Sequence, residues 1–271
     1  MSLAGVPSQF PAQPAHTDAR IAAASSAIDA LMERASVALE ATDYFAAQEF
    51  ALRAIEKARR VQDFDRIARI AMPLQEARRQ LRHLATDARD AGNVFVVSSL
   101  PSRDTKIDPG FYLLEPPLIG LDGKQFRELA RGRKVPMLAL VKEPTTSAGK
   151  WPIVGVGVGE FENVVARVQV DPPASLKDWK EKSLKNAPRE SLPDSAWFLS
   201  VQEALGDAAI RKVNPLWPAA HKVEDFIELL DAVPDHEKLS QTLMYTAKEA
   251  TTAPAPKLPR RRPLVDNPLT F

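Results

Sequence analysis

The sequence of 271 residues lacks cysteine, long apolar runs and an excess of charge of either sign. Without cysteine the chain forms no disulfide bond, no thiolate nucleophile and no zinc or iron–sulfur site with thiolate ligands. This composition fits a reducing compartment, so we expect a cytoplasmic protein. No stretch reaches the roughly 18 apolar residues of a membrane-spanning helix. The 36 Lys and Arg residues nearly balance the 35 Asp and Glu residues, so the whole chain has no field that would gather nucleic acid or anionic lipid.

Proline is scarce in the first third of the chain and frequent afterwards. Of the 23 prolines, only Pro73 lies between Thr17 and Leu100, a segment rich in the helix formers Ala, Arg and Leu. The chain therefore changes character near residue 92. Residues 1–16 contain Pro and Ala but no basic region followed by an apolar run, so we predict a flexible lead rather than a signal peptide.

Three successive runs within residues 17–91 carry apolar residues at helical spacing. A break at residues 41–43 separates the first run from the second. Pro73 lies inside the third run and lacks the backbone N–H of an interior helical residue, so a kink or a helix restart is expected there.

The turn and the second run resemble a tetratricopeptide (TPR) unit over residues 28–60. The residues that carry the resemblance are Asp43-Tyr44-Phe45-Ala46-Ala47, then Ala51 and Ala54-Ile55. Ala47 and Ala54 stand where small residues let two TPR helices cross closely. The chain departs from the family at Thr42, where glycine is usual, and at Arg59, near the usual proline. The resemblance implies an antiparallel helical hairpin, with the third run as a capping helix. A single unit must pack on something else, because solenoids need about three repeats for stability.

Residues 92–173 change to the pattern of strands and predict a small α+β domain. Runs rich in β-branched and aromatic residues occupy 94–97, 111–114, 135–141, 153–158 and 164–170. A short helix is predicted at 123–131, between the second and third runs. This part also resembles uncharacterised bacterial proteins that have an N-terminal helical hairpin, and that resemblance implies no activity. The residues that carry it are Pro116-Pro117-Leu118-Ile119-Gly120, Val135-Pro136, Glu143-Pro144 and Trp151-Pro152-Ile153-Val154.

The remaining chain predicts a C-terminal helical segment and a tail. Helices are expected at residues 176–184, 195–213, 223–233 and 237–250, with Asp235 as the N-cap of the last. Residues 174–250 form this segment, and residues 251–271 form a proline-rich basic tail. The whole chain is therefore predicted to be of the α+β class, with disordered termini.

Two glycine-containing motifs resemble nucleotide sites only superficially. Gly155, Gly157 and Gly159 spell G-x-G-x-G, but a dinucleotide site needs a helix directly after the glycines, and here another strand follows. We interpret them as places where a neighbouring element approaches the strand closely. Gly149-Lys150 lacks the other residues of a phosphate-binding loop, which excludes that motif.

Titratable residues offer weak catalytic signals. Glu115, Glu143, Glu160 and Asp171 lie near strand ends with Lys142, but no E-x-K nuclease spacing occurs, so ordinary charges at loop edges are the favoured interpretation. The histidines, none of which forms a metal-binding pair with another, are His16, His83, His221 and His236. We expect His83 on the surface and His236 in the first turn of a helix. A Ser–His–Asp triad is not local in sequence, so that alternative stays open.

Two basic regions are candidate partner surfaces. The third helical run is predicted to be basic on its outer face, through Arg59, Arg60, Arg66, Arg69, Arg78, Arg79, Arg82 and Arg89. Arg78 and Arg82 are one turn apart and project together towards an acidic partner or phosphates. In the tail, Arg260, Arg261 and Arg262 precede the terminal Phe271, as in an extended linear motif.

The leading hypothesis is a non-enzymatic interaction scaffold or adaptor, without a cofactor, that binds a protein partner or a second copy of itself. It depends on the helical hairpin, the basic tail and the lack of a local catalytic motif. The first alternative is a small-ligand-binding protein or enzyme, with a site near Glu143, Lys150 and Trp151. The second alternative is an RNA-associated protein, which would bind in a salt-dependent way.

Overall fold

The computed structural model describes residues 15–88, 94–102, 104–159, 162–177 and 183–257. Within these ranges it contains seven α-helices and one five-stranded sheet, so the predicted α+β class is confirmed. The helices are α1 (Ala15–Glu40), α2 (Tyr44–Arg60), α3 (Phe64–Asp87), α4 (Gly120–Gly132), α5 (Ser195–Lys212), α6 (Ala219–Ala232) and α7 (Glu237–Thr252). The strands are β1 (Phe95–Val97), β2 (Gly110–Leu114), β3 (Met137–Lys142), β4 (Trp151–Val158) and β5 (Asn163–Val170). None of the described helices combines the length and the apolar character needed to cross a membrane.

The first three helices pack side by side through small residues. Ala38 of α1, Ala47 of α2 and Ala77 of α3 form one buried cluster. Ala54 is also completely buried. Alanine at these contacts lets the helix axes approach closely, because the interaxial distance depends on the side chains between them. The burial expected for Ala47 and Ala54 is therefore confirmed.

The two turns that join these helices share one design. Thr42 and Gln62 have positive φ angles of 59° and 54°. Asp43 and Asp63 follow them, and each carboxylate accepts a backbone N–H from the first turn of the next helix. The left-handed conformation costs a non-glycine residue about 1 kcal/mol, which is why glycine is usual where this chain has Thr42.

The sheet is mixed, with the strand order β1-β2-β3-β4-β5. The strands β1, β2 and β3 are parallel, whereas β4 and β5 are antiparallel to their neighbours. Helix α4 connects β2 to β3 and covers one face of the sheet, where Phe126 packs among Tyr112, Leu114 and Val154. Helices α3, α5 and α6 cover the opposite face.

The core on that opposite face joins all three helical parts of the chain. It includes Ile67 of α3, Leu113 of β2, Phe198 of α5 and Leu243 of α7. Helix α7 packs against α3, so the last helix extends the layer that the hairpin begins. The sheet and the C-terminal helices therefore cover the N-terminal helical layer.

Three local predictions need correction. The helix α3 continues through Pro73 as one element, so a restart there is wrong. His236, and not Asp235, caps α7, because the His236 Nδ1 accepts the backbone N–H of Leu239 at 3.2 Å. The α-helix expected at 176–184 is wrong for the described residues at the two ends of that range. Short 3-10 helices, Ala174–Leu176 and Leu184–Asn186, lie there instead.

Candidate functional site

The glycines of the G-x-G-x-G motif lie where α6 ends against β4. A Cβ atom at Gly155 would overlap the backbone oxygen of Ala232, and one at Gly157 would lie 2.6 Å from the Ala232 nitrogen. Only glycine allows this contact between helix backbone and strand. The predicted close approach of a neighbouring element to the strand is therefore confirmed for Gly155 and Gly157. These two glycines allow the end of α6 to pack directly on β4.

The loop predicted as a ligand site is held by contacts of its own. Glu143 accepts a hydrogen bond from Arg167 Nη2 at 2.9 Å, and Lys150 Nζ donates to Asp171 at 2.6 Å. The Trp151 side chain is buried and meets the Trp197 ring edge-on. A ligand at this loop would therefore have to compete with partners that these three side chains already have.

The described carboxylates near the strand ends each have partners of their own. Glu115 is completely buried and accepts hydrogen bonds from Ser183 Oγ at 2.7 Å and the Leu184 backbone N–H at 2.8 Å. Lys142 is also buried, which lowers the pKa of its amine despite the nearby Glu115. The expectation of ordinary charges at loop edges is therefore wrong for these two residues. Glu160 lies outside the described residues. Within the described residues, no group of three His, Asp or Glu side chains is arranged to hold a metal ion.

His236 is a buried structural residue. Its ring packs directly on Gly206, and its Nε2 lies 3.2 Å from Glu203 Oε2. Burial lowers the pKa of the imidazole, although Glu203 and Asp207 oppose this effect. His83 is exposed, as expected.

Arg78 is buried, not exposed as predicted for an outer basic face. Only 6% of it is accessible, because this side of α3 faces the sheet and the turn between α6 and α7. Its neighbour Arg82 forms ion pairs with Glu237 and Glu203. The candidates Arg260, Arg261, Arg262 and Phe271 lie outside the described residues.

Arg78 lines a cavity of about 80 Å³, which we name the cationic cavity. It lies between α3, α4, the start of β3 and the turn that precedes α7. Its charged lining residues are Arg78, Arg82, Lys124, Arg127, Glu128, Arg131, Asp231 and Asp235. The five cations therefore outnumber the three carboxylates, so the lining has an excess of positive charge.

Three of these cations, Arg82, Lys124 and Arg127, have partners within the described chain, whereas two nitrogens of Arg78 have no acceptor there. Lys124 pairs with Glu128, and Arg127 Nη2 donates to the backbone oxygens of Val156 and Asp231, both at 3.1 Å. In the part of the chain that the structure describes, the Nε and Nη1 atoms of Arg78 donate to no acceptor. A buried polar group without a partner costs free energy and is uncommon in native proteins.

Burial shifts the pKa values of two side chains that line the cavity, Arg78 and Asp235. Burial lowers the pKa of the Arg78 guanidinium to about 10, with Asp235 and Asp231 opposing the shift. Arg131 and Arg127 add electrostatic repulsion in the same direction as burial. Burial also raises the pKa of the Asp235 carboxyl, which Arg78 and Arg127 oppose. Burial therefore disfavours the charged forms of both Arg78 and Asp235 in this cavity.

A larger cavity of about 570 Å³ adjoins the first between α2 and α4, and we name it the outer groove. Phe45, Glu128 and Arg131 line both spaces. Leu52 adds an apolar wall to the outer groove. Binding pockets for small molecules usually measure about 300–1,000 Å³, so the outer groove is of suitable size.

Sequence reasoning missed Arg127, Arg131 and the position of Asp235. The signal for the two arginines was available, because Lys124, Arg127 and Arg131 recur at helical spacing on α4 and therefore share a face. Asp235 was interpreted as a helix cap, since it precedes α7 and aspartate is a common cap.

Comparisons with protein-family models, with curated proteins and with solved structures found no match to this chain.

Proposed function

We propose that this protein is a non-enzymatic binding protein for a small ligand with an oxyanion group, and that the cationic cavity receives that group. The observation that carries the proposal is the Arg78 guanidinium, which is 6% exposed and has two N–H-bearing nitrogens without an acceptor in the described chain. An oxyanion would satisfy these donors and relieve the cost of the buried charge.

The chemistry of the lining supports an oxyanion over other ligands. A guanidinium presents its donors in a planar fork that matches a carboxylate or a phosphate with two parallel hydrogen bonds. Arg78, Arg127 and Arg131 come from two different helices and converge on one cavity. The outer groove gives the rest of a ligand room beside Phe45.

A thermal-shift experiment at constant ionic strength tests the proposal. Acetate, phosphate and sulfate are compared with chloride, because a ligand that binds the native state raises its melting temperature in a concentration-dependent way. We expect at least one oxyanion to stabilise the wild type and to lose that effect in Arg78→Met. The matched control is Arg69→Met, because the Arg69 side chain on the same helix is 60% exposed.

The Arg69→Met variant is expected to keep the full response. Equal shifts for chloride and all three oxyanions in the wild type would contradict the proposal. An oxyanion response that survives in Arg78→Met would place the binding site elsewhere and would also reject it.

An interaction adaptor built on the TPR-like hairpin is the second candidate function. The observation that favours it is Leu216, which is 90% exposed in the loop between α5 and α6. A second copy of the chain that covered this side chain would remove its apolar surface from water. Light scattering across a concentration series tests this. We expect self-association in the wild type and less in Leu216→Ser, and equal monomer masses for both would remove this candidate.

A further inference from the structure

Two opposite charges line the cationic cavity without a direct bond between them. Arg78 and Asp235 attract each other electrostatically, yet Nε and Nη1 of Arg78 have no acceptor in the described chain. Both side chains are desolvated, so each would gain from a polar partner inside the cavity. A simple anion would satisfy Arg78 and at the same time bring negative charge towards Asp235.

The charge balance of the cavity favours a ligand with both signs. Arg82 and Lys124 are already paired with glutamates. Three guanidiniums then face the two aspartates Asp231 and Asp235, and Asp231 Oδ2 accepts the Val158 backbone N–H at 2.8 Å. Asp235 is therefore the lining carboxylate best able to accept a hydrogen bond from a ligand donor.

We infer that the ligand is a small zwitterion of the α-amino-acid type, whose carboxylate binds Arg78 and whose ammonium donates to Asp235. This inference rests on the proposed function and names its ligand class. The inner cavity of about 80 Å³ has room for several water-sized groups, enough for the carboxylate and ammonium ends. The side chain of the ligand extends into the outer groove, against Phe45 and Leu52.

The test measures separately how much the carboxylate and the ammonium of the ligand contribute to binding. A thermal-shift screen of the common α-amino acids is followed by calorimetric titration of three matched compounds: L-leucine, 4-methylpentanoate, which lacks the ammonium, and 3-methylbutylamine, which lacks the carboxylate. An amino acid that gives a larger shift than L-leucine replaces it, together with its own two analogues. We expect the amino acid to bind about tenfold or more tightly than its desamino analogue, as a charge-assisted hydrogen bond supports. The amine alone should not bind.

Asp235→Asn is the decisive variant because it keeps the shape of the side chain and removes its charge. It should abolish the preference for the amino acid while 4-methylpentanoate still binds. Asp171→Asn is the matched control, since the Asp171 side chain is 80% exposed, and it should keep the preference. Arg131→Met, at the exposed rim, should weaken both carboxylates together and so tests where the carboxylate binds. If Asp235→Asn does not fold, the comparison of L-leucine with 4-methylpentanoate in the wild type decides the inference.

The outcomes distinguish the inferred zwitterionic ligand from the proposed oxyanion site. Equal affinities for the amino acid and its desamino analogue would reject the zwitterion and leave the oxyanion site intact. A preference that survives in Asp235→Asn would also reject it. Failure of every carboxylate to bind, while phosphate or sulfate still binds, would reject the zwitterion alone. Failure of all the oxyanions, phosphate and sulfate included, would reject the proposed function itself.

Discussion

Replacing Arg78 with methionine should stabilise the ligand-free protein while it removes oxyanion binding. Methionine keeps much of the length and apolar stem of the arginine but carries no charge to desolvate. Arg78 is buried and two of its nitrogens have no acceptor in the described chain, so its charge is a cost in the free native state. A residue retained for packing alone would give the opposite result.

The magnitude follows from the pKa of Arg78, which burial lowers from the ordinary value of a guanidinium to about 10. Each pKa unit corresponds to about 1.4 kcal/mol, so the buried charge costs about 3 kcal/mol. Because the pKa of this base is lower in the folded state, the cost is fully present below about pH 10 and fades as the pH rises towards the ordinary pKa of a guanidinium. At neutral pH the whole cost applies. Asp235 loses an attractive neighbour, so we expect a net gain of about 1–3 kcal/mol.

Urea unfolding of the wild type and of Arg78→Met measures this difference. The urea midpoint should rise while the slope of the transition stays the same, because the substitution barely changes the surface area that unfolding exposes. Arg69→Met is again the control and should change the free energy of unfolding by less than about 0.5 kcal/mol. A loss of more than about 1 kcal/mol in Arg78→Met would refute the reasoning, because it would mean that the guanidinium makes net favourable contacts in the free protein.

Three further predictions concern the frame around the site. Gly206→Ala should destabilise the protein by about 1–3 kcal/mol in urea unfolding, because the new Cβ would overlap the His236 ring, whereas Gly132→Ala, with open space around it, should be neutral or stabilising. Asp43→Ala should cost about 1 kcal/mol through the lost N-cap of α2, and the exposed Asp65→Ala should cost less. Since burial lowers the pKa of His236, stability measured by thermal melts should fall as the pH drops through 6.5, the ordinary value; a flat profile would contradict this.

The helices and strands could be predicted because their apolar periodicity is strong. The five strand runs match β1 to β5 closely, and the helix expected at 123–131 is the core of α4. Ala47 and Ala54 were predicted to be buried on packing grounds alone, and both are completely buried. Local pattern is sufficient where one face of an element is apolar and the other is polar.

The cationic cavity could not be predicted, because its residues come from segments far apart in the chain. Arginine is usually exposed, so an exposed Arg78 was predicted. Nothing in α3 itself indicates that α4, β3 and the turn before α7 cover this side chain. The role of Asp235 was mispredicted because the N-cap of α7 was placed one residue too early. With His236 as the cap of α7, the Asp235 carboxyl is released from that role and lines the cavity.

The most direct test of the central claim is an NMR titration of the Arg78 side-chain Nε–Hε resonance, assigned by its loss in Arg78→Met. Acetate, phosphate and L-leucine are added in turn at constant ionic strength. The account predicts that at least one of them shifts the Arg78 resonance along a saturable curve while the Arg69 resonance stays in place. An Arg78 resonance that does not move with any of the three, or that moves in parallel with Arg69, would contradict the claim that the cationic cavity binds an oxyanion.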